Sequence, residues 1–470
     1  MTERYWIETL GCPKNQVDSD KLVGTLSHDG LEEADSPEEA DLVVVNTCAF
    51  IEAARQESID TVLALAESRR PGARLVVTGC MAERYGDELA AALPEVDLVA
   101  PFGVALHESP SAGLSTPAPT PVQLTAKPVQ TSSGRPIPSF DLLNLPRPVS
   151  AAPWAYVKVA EGCDRNCGFC AIPSFRGKQR SRSVAAVLDE VDQLGAAQGT
   201  LSEIVLVAQD LASFGLDRSA DRTARDIDGP AIGGRRPLVD LVAQVSARVP
   251  WTRLLYLYPS TLDDALVETI LATGVPYFDL SLQHVSRPLL HRMRRWGDGE
   301  RFLDRIAAIR SVEPSAAFRS SFIVGYPGET EDDHDRLLEW IDEAQLDWVG
   351  FFPFSDEAGT YASELDEHVP AELMAERLAE CGELQDRITA SRREAFIGST
   401  FEVLVDAPGE ARSYREAPEI DGIITVPLDL EVGRFHQVLV TDADGPDLVA
   451  TTLGAVSTGA TSGAGVDVAP

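Results

Sequence analysis

The sequence predicts an α/β protein with three folded parts: an N-terminal open parallel α/β domain, a partial TIM-type (β/α)6 barrel, and a small all-β barrel of the oligonucleotide-binding (OB) type. Three observations predict this order. Short apolar or β-branched runs alternate with helical patterns in residues 1–103, and the same alternation returns six times in residues 153–395. Five short β-like runs separated by Gly, Asp and Pro then follow in residues 396–456.

The first part contains three predicted strands, each followed by a helix-like stretch such as Ile51–Ser68. A cysteine stands two or three residues beyond the end of each strand. Because the carboxyl ends of parallel strands share one edge of an open sheet, where ligands bind, we expect these cysteines to converge. The alternative, three unrelated small buried residues, requires the same position to recur by chance. The strands are Tyr5–Thr9, Leu42–Asn46 and Leu75–Thr78, and the cysteines are Cys12, Cys48 and Cys80.

The middle part begins after residues 104–152, which are rich in Pro, Ser and Thr and are predicted to form an extended linker. Six βα units then indicate a complete or partial parallel barrel with its active site at the strand carboxyl ends. The predicted strands are Ala155–Ala160, Glu203–Ala208, Arg253–Tyr258, Tyr277–Leu282, Ala317–Val324 and Trp348–Phe352. Predicted helices between them include Val184–Leu194, Leu262–Thr273, Phe302–Arg310 and Asp332–Glu343.

The last part follows a long predicted helix, Ala371–Ala395. Its short strands suit a small Greek-key barrel. Residues 457–470 read as a disordered tail. The predicted strands are Thr400–Val405, Ala411–Arg415, Gly422–Val426, Arg434–Val440 and Leu448–Leu453.

The charge balance is strongly acidic, with 40 basic against 74 acidic residues and a net charge of −34. Naked nucleic acid is repelled by such a chain, so the excess indicates either solubility or a basic protein partner. From residue 396 onward, three arginines oppose twelve acidic residues, the reverse of what a phosphate-binding module needs. Seven cysteines, no signal-peptide pattern and no bilayer-length apolar run predict a cytoplasmic protein without membrane contact.

The stretch EGCDRNCGFC places Cys163, Cys167 and Cys170 within ten residues. Structural zinc normally takes four protein ligands, and disulfide frameworks need an even number of cysteines, so neither fits. Three thiolates on one loop suit a [4Fe-4S] cluster with one iron left open. The amine and carboxylate of S-adenosylmethionine can chelate that iron, and an electron from the cluster can split the sulfonium C–S bond to give an adenosyl radical.

Four residues are candidates for binding S-adenosylmethionine. Phe169, beside Cys170, is placed to pack against the adenine, whereas Gln209, Gly325 and Glu329 each follow a barrel strand. An ordinary polar rim or a tight turn is the alternative for the last three. No catalytic residue is identified beyond the clusters.

A basic cluster follows the three-cysteine loop in this otherwise acidic chain. It is either an anion-binding site, for the carboxylate of S-adenosylmethionine or of a substrate aspartate, or a solvated loop. Its members are Arg176, Lys178, Arg180 and Arg182.

The chain resembles the radical S-adenosylmethionine methylthiotransferases over nearly its whole length. The resemblance implies domains at 1–103 (methylthiotransferase), 153–395 (radical SAM) and 396–456 (TRAM), and a second [4Fe-4S] cluster on Cys12, Cys48 and Cys80. Members of this family replace a C–H hydrogen with a methylthio group. The auxiliary cluster is implicated in carrying sulfur, and a second S-adenosylmethionine supplies the methyl group.

Local motifs resemble the RimO-like branch, which modifies the β-carbon of an aspartate in small-subunit ribosomal protein S-twelve, free or on the ribosome. They are LGCPKNQVDSD, CAIPSFRGKQRSR and LSLQHVSRPLLHRMRR. The resemblance implies this protein substrate, a reductant such as flavodoxin or ferredoxin, and a sulfur donor. The alternatives are the same chemistry on an adenosine of tRNA and a non-catalytic iron–sulfur protein that binds ribosomes.

Overall fold

The computed structural model describes residues 2–107, 142–148, 152–199, 201–218 and 236–453. Most of the predicted linker and the whole predicted tail lie outside these ranges. The end of the linker is described, and there Leu142 and Leu143 are buried against the N-terminal domain. Lys21 fixes this segment by donating a 2.7 Å hydrogen bond to the Leu143 carbonyl.

The N-terminal domain is an open sheet of five parallel strands in the order β2-β1-β3-β4-β5. All six residues of β3 are buried because helices cover both faces of the sheet. Two edge strands were not predicted, since two or three residues are too short to show a periodic pattern. The elements are β1 (Arg4–Thr9), α1 (Pro13–His28), β2 (Glu32–Glu33), β3 (Leu42–Thr47), α2 (Glu52–Ser68), β4 (Arg74–Gly79), α3 (Cys80–Ala92) and β5 (Leu98–Ala100).

The middle domain is a partial parallel barrel made of two three-stranded sheets, β6-β9-β10 and β11-β12-β13, joined by a bridge between Leu257 and Leu280. A small hairpin, β7-β8, frames the three-cysteine loop. The strands are β6 (Trp154–Lys158), β7 (Ala160–Glu161), β8 (Arg180–Ser181), β9 (Glu203–Val207), β10 (Trp251–Leu254), β11 (Tyr277–Gln283), β12 (Ala317–Val324) and β13 (Trp348–Pro353). The helices are α4 (Ile172–Arg176), α5 (Val184–Gln198), α6 (Pro237–Ser246), α7 (Asp264–Leu271), α8 (Arg287–Arg292), α9 (Gly299–Val312) and α10 (Glu331–Ala344).

One barrel strand ends earlier than the sequence predicts. The predicted strand continues to Tyr258, whereas β10 ends at Leu254. Tyr256 adopts a φ of +65°, which an extended strand does not allow, and its N–H donates to Asp279 at 2.9 Å. A tyrosine in this conformation is strained, and it lies at the carboxyl end of the barrel, where the site is expected.

The C-terminal domain is a closed five-stranded barrel, β14-β15-β16-β18-β17, which follows helix α11 (Ala371–Glu394). It contacts residues at the amino ends of the middle-domain strands: Arg412 pairs with Glu203 at 2.8 Å, and Trp348 donates to the Arg415 carbonyl at 2.7 Å. This barrel therefore lies at the end of the middle domain opposite the strand carboxyl ends, and the predicted fold class is confirmed. Its strands are β14 (Thr400–Ala407), β15 (Glu410–Arg412), β16 (Ile424–Thr425), β17 (Phe435–Asp444) and β18 (Asp447–Thr452).

Candidate active site

Three cysteines of the N-terminal domain lie together at one sheet edge, as the βα pattern predicts. Cys12 precedes α1, Cys48 directly follows β3, and Cys80 begins α3. In this strand order, the chain changes direction between β1 and β3, where a crevice opens outside the carboxyl ends of the strands. We call these three residues the auxiliary set.

Two glycines allow the loops of the auxiliary set to come this close. Gly11 has a φ of +97°, and a Cβ atom there would lie 2.8 Å from the Cβ of Cys48. Gly79 has a φ of +90°, and a Cβ there would lie 2.3 Å from the Asn46 side chain. Only glycine fits both the conformation and the space.

Asn15 ties the loops of the auxiliary set together. Its side-chain N–H groups donate to the carbonyls of Leu10 at 2.9 Å and Thr47 at 3.1 Å. Its Oδ1 lies 3.6 Å from the sulfur of Cys80. In the sequence this residue stands out only as part of the LGCPKNQVDSD motif, because its contacts with the distant Thr47 and Cys80 leave no periodic pattern.

Burial and mutual repulsion act on the thiols of the auxiliary set. Burial, with the neighbouring charges of Cys80 and Cys12, raises the pKa of Cys48 to about 12. Burial also raises the pKa of Cys80. Burial is the largest influence on Cys12 and would raise its pKa, but the charges of Lys14 and Arg176 and two backbone hydrogen bonds together outweigh burial, so the pKa is lowered.

Three further cysteines, Cys163, Cys167 and Cys170, lie in the single connection between β7 and β8, and we call them the radical set. Backbone bonds fix this loop: the Cys163 N–H donates to the Gly177 carbonyl at 3.1 Å, and the Gly168 N–H donates to the Met293 carbonyl at 2.8 Å. The Gly168 carbonyl also accepts the Ala362 N–H at 2.8 Å, so the shape of this loop depends on contacts within the radical domain.

The radical set consists of three half-buried cysteines with two arginines close by. Burial is the main cause that raises the pKa of Cys163, and burial with the charge of Cys167 raises that of Cys170 to about 12. Arg295 donates to the sulfur of Cys167 at 3.3 Å. The guanidinium groups of Arg165 and Arg295 lie 3.7 and 4.3 Å from the ring centre of Tyr258.

Two of the predicted S-adenosylmethionine contacts lie at the barrel mouth. Phe169 is half-buried and packs against the barrel core. Gln209 donates to Glu161 at 2.7 Å, while its buried Oε1 has no hydrogen-bond partner among the described residues. A buried acceptor in this state suits a ligand with N–H groups, such as an amino acid ammonium.

The other two predicted contacts belong to the turn after β12. The φ of Gly325 is +83°, and the side chain of Met374 fills the space where its Cβ would lie. Glu329 accepts the Gly325 N–H at 2.6 Å and pairs with Arg377 at 3.0 Å, so its carboxylate fixes the turn and helix α11. A direct contact of either residue with the cofactor stays a prediction.

Arg176 connects the auxiliary set to the radical domain, a role that its place in a basic run did not reveal. From helix α4, just beyond the radical set, its Nη2 donates to the Cys80 sulfur and to Asn15 Oδ1, both at 2.9 Å. Its Nη1 donates to Asp18 at 3.0 Å and Glu161 at 3.1 Å. Burial alone would lower its pKa, but the charges of Cys80, Glu161 and Asp18 hold that pKa well above the ordinary value.

The remaining members of the basic cluster do not share this role. Arg182 is buried and pairs with Glu190 at 2.5 Å, whereas Lys178 is exposed. The cluster is therefore neither one anion site nor one solvated loop, because its members face different surroundings.

The donor chemistry of both sets fits iron–sulfur clusters. In the described ranges, no three His, Cys, Asp or Glu side chains are arranged to hold one metal ion between them. Each thiolate of a [4Fe-4S] cluster bonds a different iron, so this arrangement is compatible with cluster ligation. Buried thiols with raised pKa values become thiolates when a metal supplies the opposing charge. Neither set offers the closed four-ligand shell of structural zinc.

Family models match all three parts of the chain. Residues 4–101 match uncharacterized protein family UPF0004, residues 157–341 match the radical SAM superfamily, and residues 397–453 match the TRAM domain. Among solved structures, the cobalamin-dependent radical enzyme OxsB gives a TM-score of 0.44 at 11% identity, covering 82% of this chain and 56% of OxsB. That similarity is too low to carry an argument.

Curated relatives cover almost the entire chain. Each of the following is named ribosomal protein uS12 methylthiotransferase RimO. The protein of Moorella thermoacetica is 40% identical, covering 91% of this chain and 93% of its own length. Those of Cutibacterium acnes and Chloroflexus aurantiacus are 38% identical, covering 94% and 95% of this chain and 96% and 98% of their own lengths. The chain therefore belongs to the RimO family of radical S-adenosylmethionine methylthiotransferases.

Proposed function

We propose that this chain installs a methylthio group on the β-carbon of an aspartate in ribosomal protein uS12. The observation that supports this most strongly is the presence of two separate three-cysteine sets, one in each of two domains that Arg176 links through Cys80. As a member of its family, the enzyme is a transferase that uses [4Fe-4S] clusters and S-adenosylmethionine. We assign residues 1–103 to the auxiliary domain, 153–395 to the radical domain and 396–456 to the TRAM domain.

In this proposal, the radical set binds one cluster and the auxiliary set binds the other. The radical cluster, when bound with S-adenosylmethionine, supplies the radical that removes hydrogen from the substrate carbon. Gln209 offers its unpartnered Oε1 to the cofactor's ammonium group, and Phe169 provides an apolar surface. Glu161 orients Gln209 by accepting its side-chain N–H.

The protein substrate is favoured over tRNA by the charge of the TRAM domain. Arg412 and Arg415 are buried in ion pairs with Glu203 and Asp347, and Arg434 is exposed but lies 3.2 Å from Glu431. A phosphate backbone meets an acidic surface here, whereas a basic ribosomal protein finds complementary charge. The exposed acidic residues are Glu402, Glu410, Glu419, Asp429, Glu431, Asp442 and Asp444.

The partners and the compartment complete the proposal. A reductant such as flavodoxin or ferredoxin supplies electrons, and a sulfur donor supplies the atom that is transferred. We place the reaction in the cytoplasm, where the seven cysteines, none of them in a disulfide, remain reduced. Among the described residues, no helix is both long enough and apolar enough to cross a bilayer.

The test is a reaction of the anaerobically reconstituted enzyme with uS12, S-adenosylmethionine, sulfide and a reductant, followed by mass spectrometry of the protein. We expect one aspartate to gain a methylthio group in place of one hydrogen. A parallel reaction with tRNA serves as the control and should give no modified adenosine. Modified tRNA together with unchanged uS12 would contradict the proposal.

A further inference from the structure

Among the residues that the structure describes, Arg176 is the arginine whose hydrogen bonds join a cysteine of the auxiliary set to the radical domain. It extends from a helix that starts two residues after Cys170 and reaches Cys80 in the other domain. We propose that Arg176 is a positioning residue that sets the reduction potential of the auxiliary cluster through its hydrogen bond to the Cys80 sulfur. This inference rests on the proposed function, since it requires a cluster on the auxiliary set.

The hydrogen bond between Arg176 and the Cys80 sulfur is buried and short. The Arg176 side chain is 3% exposed, and its 2.9 Å hydrogen bond to sulfur is short for this type of donor and acceptor. Water screens a buried charge less than an exposed one, so the guanidinium acts more strongly on the sulfur than a surface arginine does. Hydrogen bonds and charge near cluster sulfurs are among the main determinants of cluster potential.

Four acceptors fix the orientation of the Arg176 guanidinium. Nη2 donates to the sulfur and to Asn15, while Nη1 is held by Asp18 and Glu161. The planar, five-donor fork of arginine satisfies all four acceptors at once, which a lysine ammonium cannot do. The side chain is therefore fixed toward Cys80 instead of moving to the nearest carboxylate.

The positive charge of Arg176 determines the direction in which it shifts the reduction potential. One-electron reduction adds a negative charge to the cluster and moves no proton to or from Arg176, which keeps its charge in both states. A neighbouring positive charge favours the reduced form, and a neighbouring negative charge disfavours it. Arg176 therefore raises the potential, while Asp18 partly opposes it from the far side of the guanidinium.

The experiment measures potential, not turnover. The full-length chain carrying Cys163→Ala, Cys167→Ala and Cys170→Ala is reconstituted anaerobically, so that only the auxiliary cluster contributes. Its reduction by dithionite is then titrated by electron paramagnetic resonance. Arg176→Gln should shift the equilibrium toward the oxidised cluster by about tenfold, or about 59 mV for one electron.

Two further variants make the result specific. Arg182→Gln is the matched control: Arg182 is also buried, and its hydrogen bonds in the described chain go to Glu190, Asn144 and carbonyl groups, not to a cysteine. It should leave the potential unchanged. Asp18→Asn keeps the contact between Arg176 and sulfur but removes a negative charge, so it should shift the potential in the positive direction.

The outcomes separate this inference from the proposed function. An Arg176→Gln potential equal to that of Arg182→Gln would overturn the inference and leave the proposed function intact. If Arg176→Gln does not fold or does not hold iron, Asp18→Asn decides: a positive shift supports the inference, and an unchanged potential overturns it. Absence of any cluster before Arg176 is changed would overturn both.

Discussion

The two cysteine sets reach similar donor arrangements by different physical routes. The radical set belongs to one loop, which is held by its own backbone and by contacts within the radical domain. The auxiliary set draws one residue from each of three βα units, so its geometry depends on the packing of a whole sheet. The geometry of the radical set is therefore local to one loop, whereas that of the auxiliary set depends on the whole N-terminal sheet.

The polar surroundings of the two sets differ in the same way. At the radical set, Arg295 donates to a cysteine sulfur and to a backbone carbonyl and lies over the Tyr258 ring. At the auxiliary set, Arg176 belongs to a buried network that also contains Lys158 and carboxylates of both domains. Buried ion networks fix orientation at a high cost when one partner is lost. The auxiliary set is thus the centre more dependent on how the two domains dock.

The largest effect is expected from changing Cys163, Cys167 and Cys170 to alanine together. Cleavage of S-adenosylmethionine to 5′-deoxyadenosine should be lost, because this loop supplies all three thiolates of the proposed radical cluster. Iron content should fall from about eight per chain to about four, since each [4Fe-4S] cluster carries four. Iron analysis and chromatography of the products measure both values. Persisting cleavage would place the radical centre elsewhere.

Changing Cys12, Cys48 and Cys80 to alanine tests the other side of the comparison. Methylthiolation should be lost while cleavage of S-adenosylmethionine continues, because the loop of the radical set is fixed by its own contacts. Chromatographic assay of 5′-deoxyadenosine, beside mass spectrometry of uS12, separates these readouts. If cleavage falls as far as it does in the first triple variant, the two centres are not independent.

These predictions depend on how much of the site the sequence already contains. The spacing of the radical set predicts its loop, because all three cysteines lie close together in one short segment of the sequence. The auxiliary set is also predictable, since a βα pattern places strand ends at a common edge. The positions of Cys12, Cys48 and Cys80 after their strands agree with this expectation.

The contacts between domains were not predictable in the same way. Arg176 belongs to a basic run, and its choice of Cys80, Asp18 and Glu161 depends on docking between distant segments. Tyr256 belongs to an apolar run that reads as one continuous strand, yet its positive φ interrupts it. Local periodicity predicts which face of a helix or strand is buried, but it does not predict which side chain of another domain that face will contact.

A third prediction tests whether docking supports the auxiliary set. Glu357, in the radical domain, is nearly inaccessible and pairs with Arg55 at 2.6 Å and Arg84 at 2.5 Å, both from the N-terminal domain. Glu357→Gln leaves two arginines short of a negative charge, so the free energy of unfolding should fall by about 3 kcal/mol. Urea denaturation of the apoprotein measures this change.

The matched control for Glu357 is an exposed carboxylate in the same domain. Glu367 pairs with Arg292 at 3.1 Å near the surface, with its side chain 69% exposed. Exposed pairs of this kind contribute little to stability, so Glu367→Gln should leave the unfolding transition nearly unchanged. Equal effects of the two substitutions would mean that the Glu357 contacts do not hold the domains together.

The smallest expected effect concerns stability in acid, which should differ between the radical barrel and the ion network at the auxiliary set. His284 follows β11 in the radical barrel, is fully buried, and accepts the Ser286 N–H at 3.0 Å. Burial lowers its pKa to about 4, with the charges of His334 and Arg377 acting in the same direction and Asp333 opposing them. The unfolded chain therefore binds a proton more readily, with a pKa near 6.5, and stability falls as the pH drops below 6.5 toward 4.

From this shift we expect the free energy of unfolding of the wild-type protein to fall by about 1 kcal/mol between pH 7 and pH 5.5 because of His284. His284→Asn keeps an acceptor for the Ser286 N–H but cannot titrate, so this part of the pH dependence should disappear, while any cavity cost is the same at both pH values. The ion network at the auxiliary set should not respond in this range, because Lys158 and Arg176 hold the pKa of Glu161 far below its ordinary value despite burial. Denaturation curves at the two pH values measure the difference. An identical pH dependence in the variant would show that the loss of stability in acid does not come from His284. The contrast between neutral His284 in the radical barrel and the charged network at the auxiliary set would then not explain it.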